Sequence, residues 1–279
     1  PIDRQDVARR LGFAAVAGFM FVVSGLVWSV LKATMGLRPS EEDEIMGLDK
    51  AELTARLHDT LTANRMKDHV HIRLMVSRGI KSTPYQDPAV TISPPTIVII
   101  PEYKSADPSL NDRGVRLYTV YVRRGYADVQ DPRINSHSKL NCIFGCIQAA
   151  KAGYDEALML DPHGHVATCN STHFFIVRDG EVWTSSGDYC LDGITRRNVV
   201  NLCKANGIPV FEKNFSVMQA YGADEAFVTG TFAGLTPVFD IDGRQIGDAR
   251  RGPMVDRLQG LYRDLLSNEV RQHQQQGTA

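Results

Sequence analysis

A chain of 279 residues has room for one large domain or two of ordinary size. Its apolar fraction of 43% and charged fraction of 23% are those of a globular protein, and a net charge of −1 leaves no electrostatic footprint for nucleic acid or an anionic membrane surface. The five cysteines (Cys142, Cys146, Cys169, Cys190 and Cys203) form no CxxC pair, so neither a disulfide framework nor a metal site is expected, and reduced, packed thiols fit a cytoplasmic location.

The run from Gly12 to Leu31 carries no charge and follows Arg9 and Arg10. Two readings stand: a bilayer-spanning helix, which needs roughly 20 apolar residues, or a buried hairpin and helix start, which its glycines, serines and strand-favouring Val and Phe residues suit better. Leu53, Leu57 and Leu61 recur at helical spacing. Val70 to Ser77 reads as a strand ending at Arg78-Gly79, and the β-branched run bounded by Pro95 and Pro101 as another. The polar, turn-rich stretch Ser105–Gly114 is the expected linker between a small domain, residues 1–114, and a larger one, residues 115–279.

Beyond it, Val115 to Arg124 predicts a strand and Cys142 to Ala152 a helix closed by Gly153. Glu156 to Thr168 predicts two strands around a Pro-His-Gly turn, and His173 to Ser185 a hairpin with Asp179-Gly180 at its tip. A helix from Thr195 to Asn206, a strand at Ala226 to Thr229 and a last helix from Met254 to Leu266 complete the chain. Strands and helices mix without βαβ alternation, so the expected class is α+β in two domains.

Four segments carry chemistry together: SHSKLN around Lys139, GYDEALMLDPHGHVATCNSTHFFIVRDGEVWT, LDGITRRNVV and ADEAFVTGTFAGLTPV. In this order and spacing they resemble the class IV (fold-type IV) pyridoxal-phosphate enzymes, which include branched-chain and D-amino-acid aminotransferases, (R)-selective amine transaminases and aminodeoxychorismate lyase. The resemblance spans roughly Val115 to Leu266. It implies pyridoxal 5′-phosphate as cofactor, lying between the two domains and joined to Lys139 by a Schiff base, and it implies a homodimer. Without it, a lone lysine is ordinarily a solvated surface charge. The resemblance also places the cofactor phosphate at two turns, Gly193-Ile194-Thr195 where a loop enters a helix and Thr229-Gly230-Thr231, with Gly230 and Thr231 in contact. Each turn alone would be plain turn chemistry.

The chain departs from the family in three places. Where a glutamate usually faces the pyridine nitrogen stands Thr168, whose hydroxyl can only share a hydrogen bond. Where an arginine usually grips the phosphate stands Gly25. Where D-amino-acid aminotransferases hold the substrate carboxylate stand Thr83 and Tyr85, leaving Arg78 and Tyr85 as the candidate contacts. The expected reaction is amino transfer between an amino acid, branched-chain type first, and a 2-oxo acid. A pyridoxal lyase, an (R)-amine transaminase and a non-catalytic homologue are the alternatives.

Overall fold

A computed structural model describes residues 49–276; the expectations for Gly12–Leu31 and Gly25 fall outside them. The chain divides into two compact units between Lys104 and Ser105.

In the first unit, helix α1 (Lys50–Ala63) starts at Asp49, whose side chain accepts from the Ala51 amide at 3.1 Å and so satisfies one free N–H of the first turn. Glu52 and Arg56 pair one turn apart on its exposed face. Strands β1 (Val70–Val76) and β2 (Ile97–Tyr103) are antiparallel, with Val70 opposite Tyr103 and Val76 opposite Ile97. Their long connection is held by a bridge between Lys81 and Thr91.

In the second unit, nine strands among the described residues form one sheet. They are β3 (Val115–Thr119), β4 (Glu156–Leu160), β5 (Val166–Cys169), β6 (His173–Arg178), β7 (Glu181–Thr184), β8 (Val210–Glu212), β9 (Glu225–Gly230), β10 (Gly234–Ile241) and β11 (Arg244–Gln245). The order across the sheet is β5-β4-β3-β10-β9-β6-β7-β8, with β11 beside β10. β3 runs parallel to both its neighbours, and β7 runs parallel to β8; the other pairings are antiparallel. The helices are α2 (Leu110–Arg113), α3 (Ala127–Gln130), α4 (Leu140–Lys151), α5 (Ile194–Ala205), α6 (Val217–Tyr221) and α7 (Pro253–Gln276). The stretch read as a linker contains α2, which packs on β10.

β6 shows why the sheet reads as continuous apolar runs. Its side chains alternate between faces. Phe174 and Ile176 enter one core with Leu117, Leu158 and Phe215, while Phe175 and Val177 enter a second core with Val199 and Leu258. Phe175 stacks on Phe227 of β9 at a centroid distance of 4.8 Å. Both faces are covered, so no polar residue interrupts the strand. The β6–β7 hairpin turns at Asp179 (φ 51°) and Gly180 (φ 78°), the left-handed pair that a two-residue turn needs.

Candidate active site

A cavity of about 300 Å³ opens on the second unit, and Arg124, Asn135, Lys139, Cys142, Thr168 and His173 are among its lining residues. Lys139 stands at the N-cap position of α4 and is exposed. Its Nζ donates to Asn135 Oδ1 at 2.7 Å. The loop carrying Asn135 is pinned by Gln130, whose amide donates to Ser136 Oγ at 2.8 Å and to the Ser138 carbonyl at 3.1 Å. Arg124 reaches the cavity after β3; its Nη1 donates to Cys142 Sγ at 3.0 Å and its Nε to the Tyr189 carbonyl at 3.0 Å.

The opposite wall is the β5–β6 connection, Cys169 to Thr172. Thr168 is buried, and its Oγ1 donates to the Thr172 carbonyl at 2.8 Å. Beneath the connection lies Glu156 of β4, a buried carboxylate. It accepts from the Ser171 amide at 2.9 Å, from Ser171 Oγ at 2.8 Å and from Thr172 Oγ1 at 2.9 Å. Burial raises its carboxyl above the ordinary value, against the lowering pull of these three bonds. Asn170 completes the seam, its Oδ1 accepting from the Ala157 amide at 2.8 Å.

His173 joins the cavity to the two turns singled out for a phosphate. Its Nε2 donates to the Leu191 carbonyl at 2.7 Å. A Cβ on Gly193 would fall inside contact distance of the imidazole, so only glycine fits there. In the sheet His173 pairs directly with Thr229. Gly193 is the N-cap of α5, with no side-chain cap bond, and Thr195 lies in the first turn. The hydroxyls of Thr195 (2% exposed) and Thr229 (0% exposed) have no hydrogen-bond partner. An unpaired buried hydroxyl is costly, commonly about 1–3 kcal/mol. Arg196, next in α5, is already engaged: Nη2 bonds the Ser185 carbonyl at 2.6 Å and Glu212 Oε2 at 2.9 Å.

The structure thus brings Lys139 and Thr168 to one cavity. Gly193 and Gly230 stand behind its wall, the latter with space for a Cβ 3.4 Å from Thr172 Cγ2. Ile194, Thr195 and Thr231 do not line the cavity itself. Arg78 and Tyr85 belong to the first unit, both exposed, in the β1–β2 connection, where Lys81 Nζ donates to the Tyr85 carbonyl at 2.6 Å. No local pattern in the sequence marks Asn135 or His173 as part of a site. Glu156, at the head of the apolar run of β4, carries the one available signal, since a charge is seldom buried at a strand unless it is bonded.

The family model for amino-transferase class IV matches residues 44–241. A branched-chain-amino-acid aminotransferase-like protein of Arabidopsis thaliana is 37% identical over 216 residues, 77% of this chain and 38% of the relative, so the chain spans well under half of that protein's length. A putative branched-chain-amino-acid aminotransferase of Methanocaldococcus jannaschii is 38% identical over 78% of this chain and 74% of its own. Among solved structures, the branched-chain aminotransferase of Thermobaculum terrenum in its PLP form superposes with a TM-score of 0.67 at 28% identity, covering 76% of this chain and 68% of that one. The four sequence segments, the sheet that carries them and these matches agree, and the chain belongs to the class IV aminotransferase family.

Proposed function

We propose that this chain is a pyridoxal 5′-phosphate-dependent aminotransferase that moves an amino group between an amino acid, of the branched-chain type first, and a 2-oxo acid. The observation that carries the reading is Lys139, an amine held at the mouth of α4 in a cavity whose wall leads, through His173, to a helix N-terminus with an unpaired buried hydroxyl. The site fits the cofactor. Its volume lies at the lower end of those that hold small molecules. The first turn of α5, the missing Cβ at Gly193 and the free hydroxyls of Thr195 and Thr229 are what a phosphate requires.

Bound pyridoxal phosphate supplies an aldehyde that exchanges amines and a ring that withdraws electrons. Lys139 is the residue that would hold the cofactor's aldehyde and, once free, would carry the substrate's α-proton as general base. Asn135 keeps the released amine within reach. Thr168 has committed its proton to the Thr172 carbonyl, so toward the ring nitrogen it offers only a lone pair. Gly193, Ile194, Thr195, Gly230 and Thr231 are the proposed phosphate contacts. Arg78 and Tyr85, both exposed, are the proposed contacts for the substrate carboxylate.

A homodimer is supported by α4, whose Leu140, Ile143, Phe144 and Ile147 form one stripe, 44–65% exposed. The five cysteines are free thiols, which supports a reducing, cytoplasmic location. Among the described residues no helix is long and apolar enough to cross a membrane.

A lyase reaction is the second reading, favoured by Thr168, because a threonine holds the ring proton less firmly than a carboxylate. Absorbance separates the two. Amino donor alone converts the cofactor of a transaminase to its amine form and leaves that of a lyase unchanged. Borohydride should fix the cofactor on Lys139, and fixation on another lysine would overturn the assignment.

A further inference from the structure

We infer that His173 is the proton-accepting member of the phosphate site: a phosphate or sulfate dianion seated at the first turn of α5 binds together with a proton on His173 Nδ1. The inference rests on the phosphate placement proposed above and adds a residue that the four sequence segments did not single out.

The geometry sets the tautomer. A carbonyl oxygen can only accept, so the 2.7 Å bond to Leu191 requires the hydrogen on Nε2. In the neutral ring Nδ1 then carries a lone pair. The Cε1–Nδ1 edge lies against the α-carbon of Gly193, the N-cap of the 12-residue helix α5. His173 and Thr229 are direct partners across antiparallel strands, so their side chains leave the sheet on the same face. Thr229 Oγ1 and, from α5, Thr195 Oγ1 are two of the three buried hydroxyls without partners among the described residues, the third being Thr119 Oγ1. The imidazole therefore sits among the donors that a dianion would use, but with the wrong half of its chemistry turned toward Gly193. A lone pair repels an anion; an Nδ1–H donates to it.

The surroundings favour the neutral imidazole. Burial holds the imidazole below its ordinary value, the Leu191 carbonyl works against that, Arg196 and Arg124 lower it further, and Asp192 raises it. Arg196 is tied to Glu212 and Arg124 to Tyr189 and Cys142. A dianion supplies the opposite charge that favours the imidazolium, so the two binding events are linked and each strengthens the other.

Sulfate is the suitable probe, because it stays a dianion across the neutral range and contributes no proton of its own. The full-length chain, freed of cofactor, is titrated with sulfate while the imidazole Cε1 protons are followed by NMR. Sulfate should raise the titration midpoint of one histidine, the resonance missing in His173→Asn. Sulfate affinity should fall by up to about tenfold for each pH unit between the sulfate-free and the sulfate-bound midpoints, the limiting slope of one linked proton, and His173→Asn should flatten the dependence. Thr195→Ala serves as the control for the site. If it weakens sulfate while His173→Asn leaves the pH slope unchanged, the phosphate placement stands and the inference about His173 falls. If Thr195→Ala leaves sulfate binding unaltered, the placement falls and the inference with it.

Discussion

Lys139 Nζ and Asn135 Oδ1 lie 2.7 Å apart, and the amine makes this bond from the exposed rim of its cavity. The asparagine is neutral, so its bond orients the amine without placing a formal charge beside it. Asn135→Asp would set a carboxylate at the same spot and stabilise the ammonium, which cannot attack an aldehyde. Screening at an exposed site keeps the effect modest, roughly 1 kcal/mol or less. Cofactor attachment at neutral pH should slow by up to about fivefold, with Asn135→Ala slowing it less. Stopped-flow absorbance on adding cofactor reads both rates, and equal slowing by the two changes would mean that the asparagine acts by shape alone.

Glu156 gives a prediction about stability. Its carboxyl is raised above the ordinary value near 4.5, so protonation is easier in the folded chain than in the unfolded one. The stabilising contribution is complete below about 4.5 and is lost as pH rises through the folded value. Glu156→Gln removes the charge, keeps an acceptor for Ser171 and turns an N–H toward Thr172, whose hydroxyl would then accept, so urea midpoints of the variant should depend less on pH from 4.5 upward. Glu156→Ala takes the acceptor from three donors, two of them on the exposed Ser171 and one on the half-buried Thr172, and should cost about 1–3 kcal/mol at any pH. A parent and a glutamine variant with identical pH profiles would rule out the charge as the cause.

The cysteines should divide by accessibility. Cys169, Cys190 and Cys203 are buried, and burial raises all three thiols, that of Cys203 to about 11. Thiolate is the reactive form. Iodoacetamide at pH 8 should label the exposed Cys146 first and Cys142 more slowly, behind its Arg124 bond, and the other three only after unfolding. Intact mass should stop at two adducts on the folded chain; a third would show that one core thiol opens to solvent.

Gly193 is testable without touching a polar group. Any Cβ there collides with the His173 ring, which must then leave its bond to Leu191. Gly193→Ala should weaken cofactor binding at least tenfold because the cup is filled, and it should also lower the thermal midpoint, since alanine caps α5 less well than glycine and the displaced imidazole gives up its bond to Leu191. Cofactor dissociation constants and a melting curve check the pair of outcomes.

Some of this could be read directly from the residues. Asp179-Gly180 between two apolar runs announced its hairpin because only left-handed residues close so short a turn. Lys139 was reached through its neighbours in four motifs, since nothing in a lone lysine marks it out. β10 was passed over. Pro237 interrupts its apolar run, and proline is normally excluded from a central strand. The structure admits it because pairing with β3 begins only at Val238 and breaks register before Asp240. Glu156 and His173 were hidden for a shared reason: their roles depend on the backbone of residues far along the chain, Ser171 for one and Leu191 and Gly193 for the other, which no local pattern records.

The parallel pairing of Val115 with Val238 also bears on biosynthesis. β3 is the first strand of its unit to leave the ribosome, and its partner β10 is the eighth. Until β10 arrives, β3 and β9 both present open edges, and a nascent chain halted after β9 has two unfinished half-sheets rather than a smaller stable domain. Closure therefore waits for nearly the whole chain, a non-local step of the kind that slows folding and exposes sticky edges to neighbours. Fragments ending before residue 234 should accumulate as aggregates or chaperone clients, while a chain reaching residue 241 already holds every strand needed to join the halves.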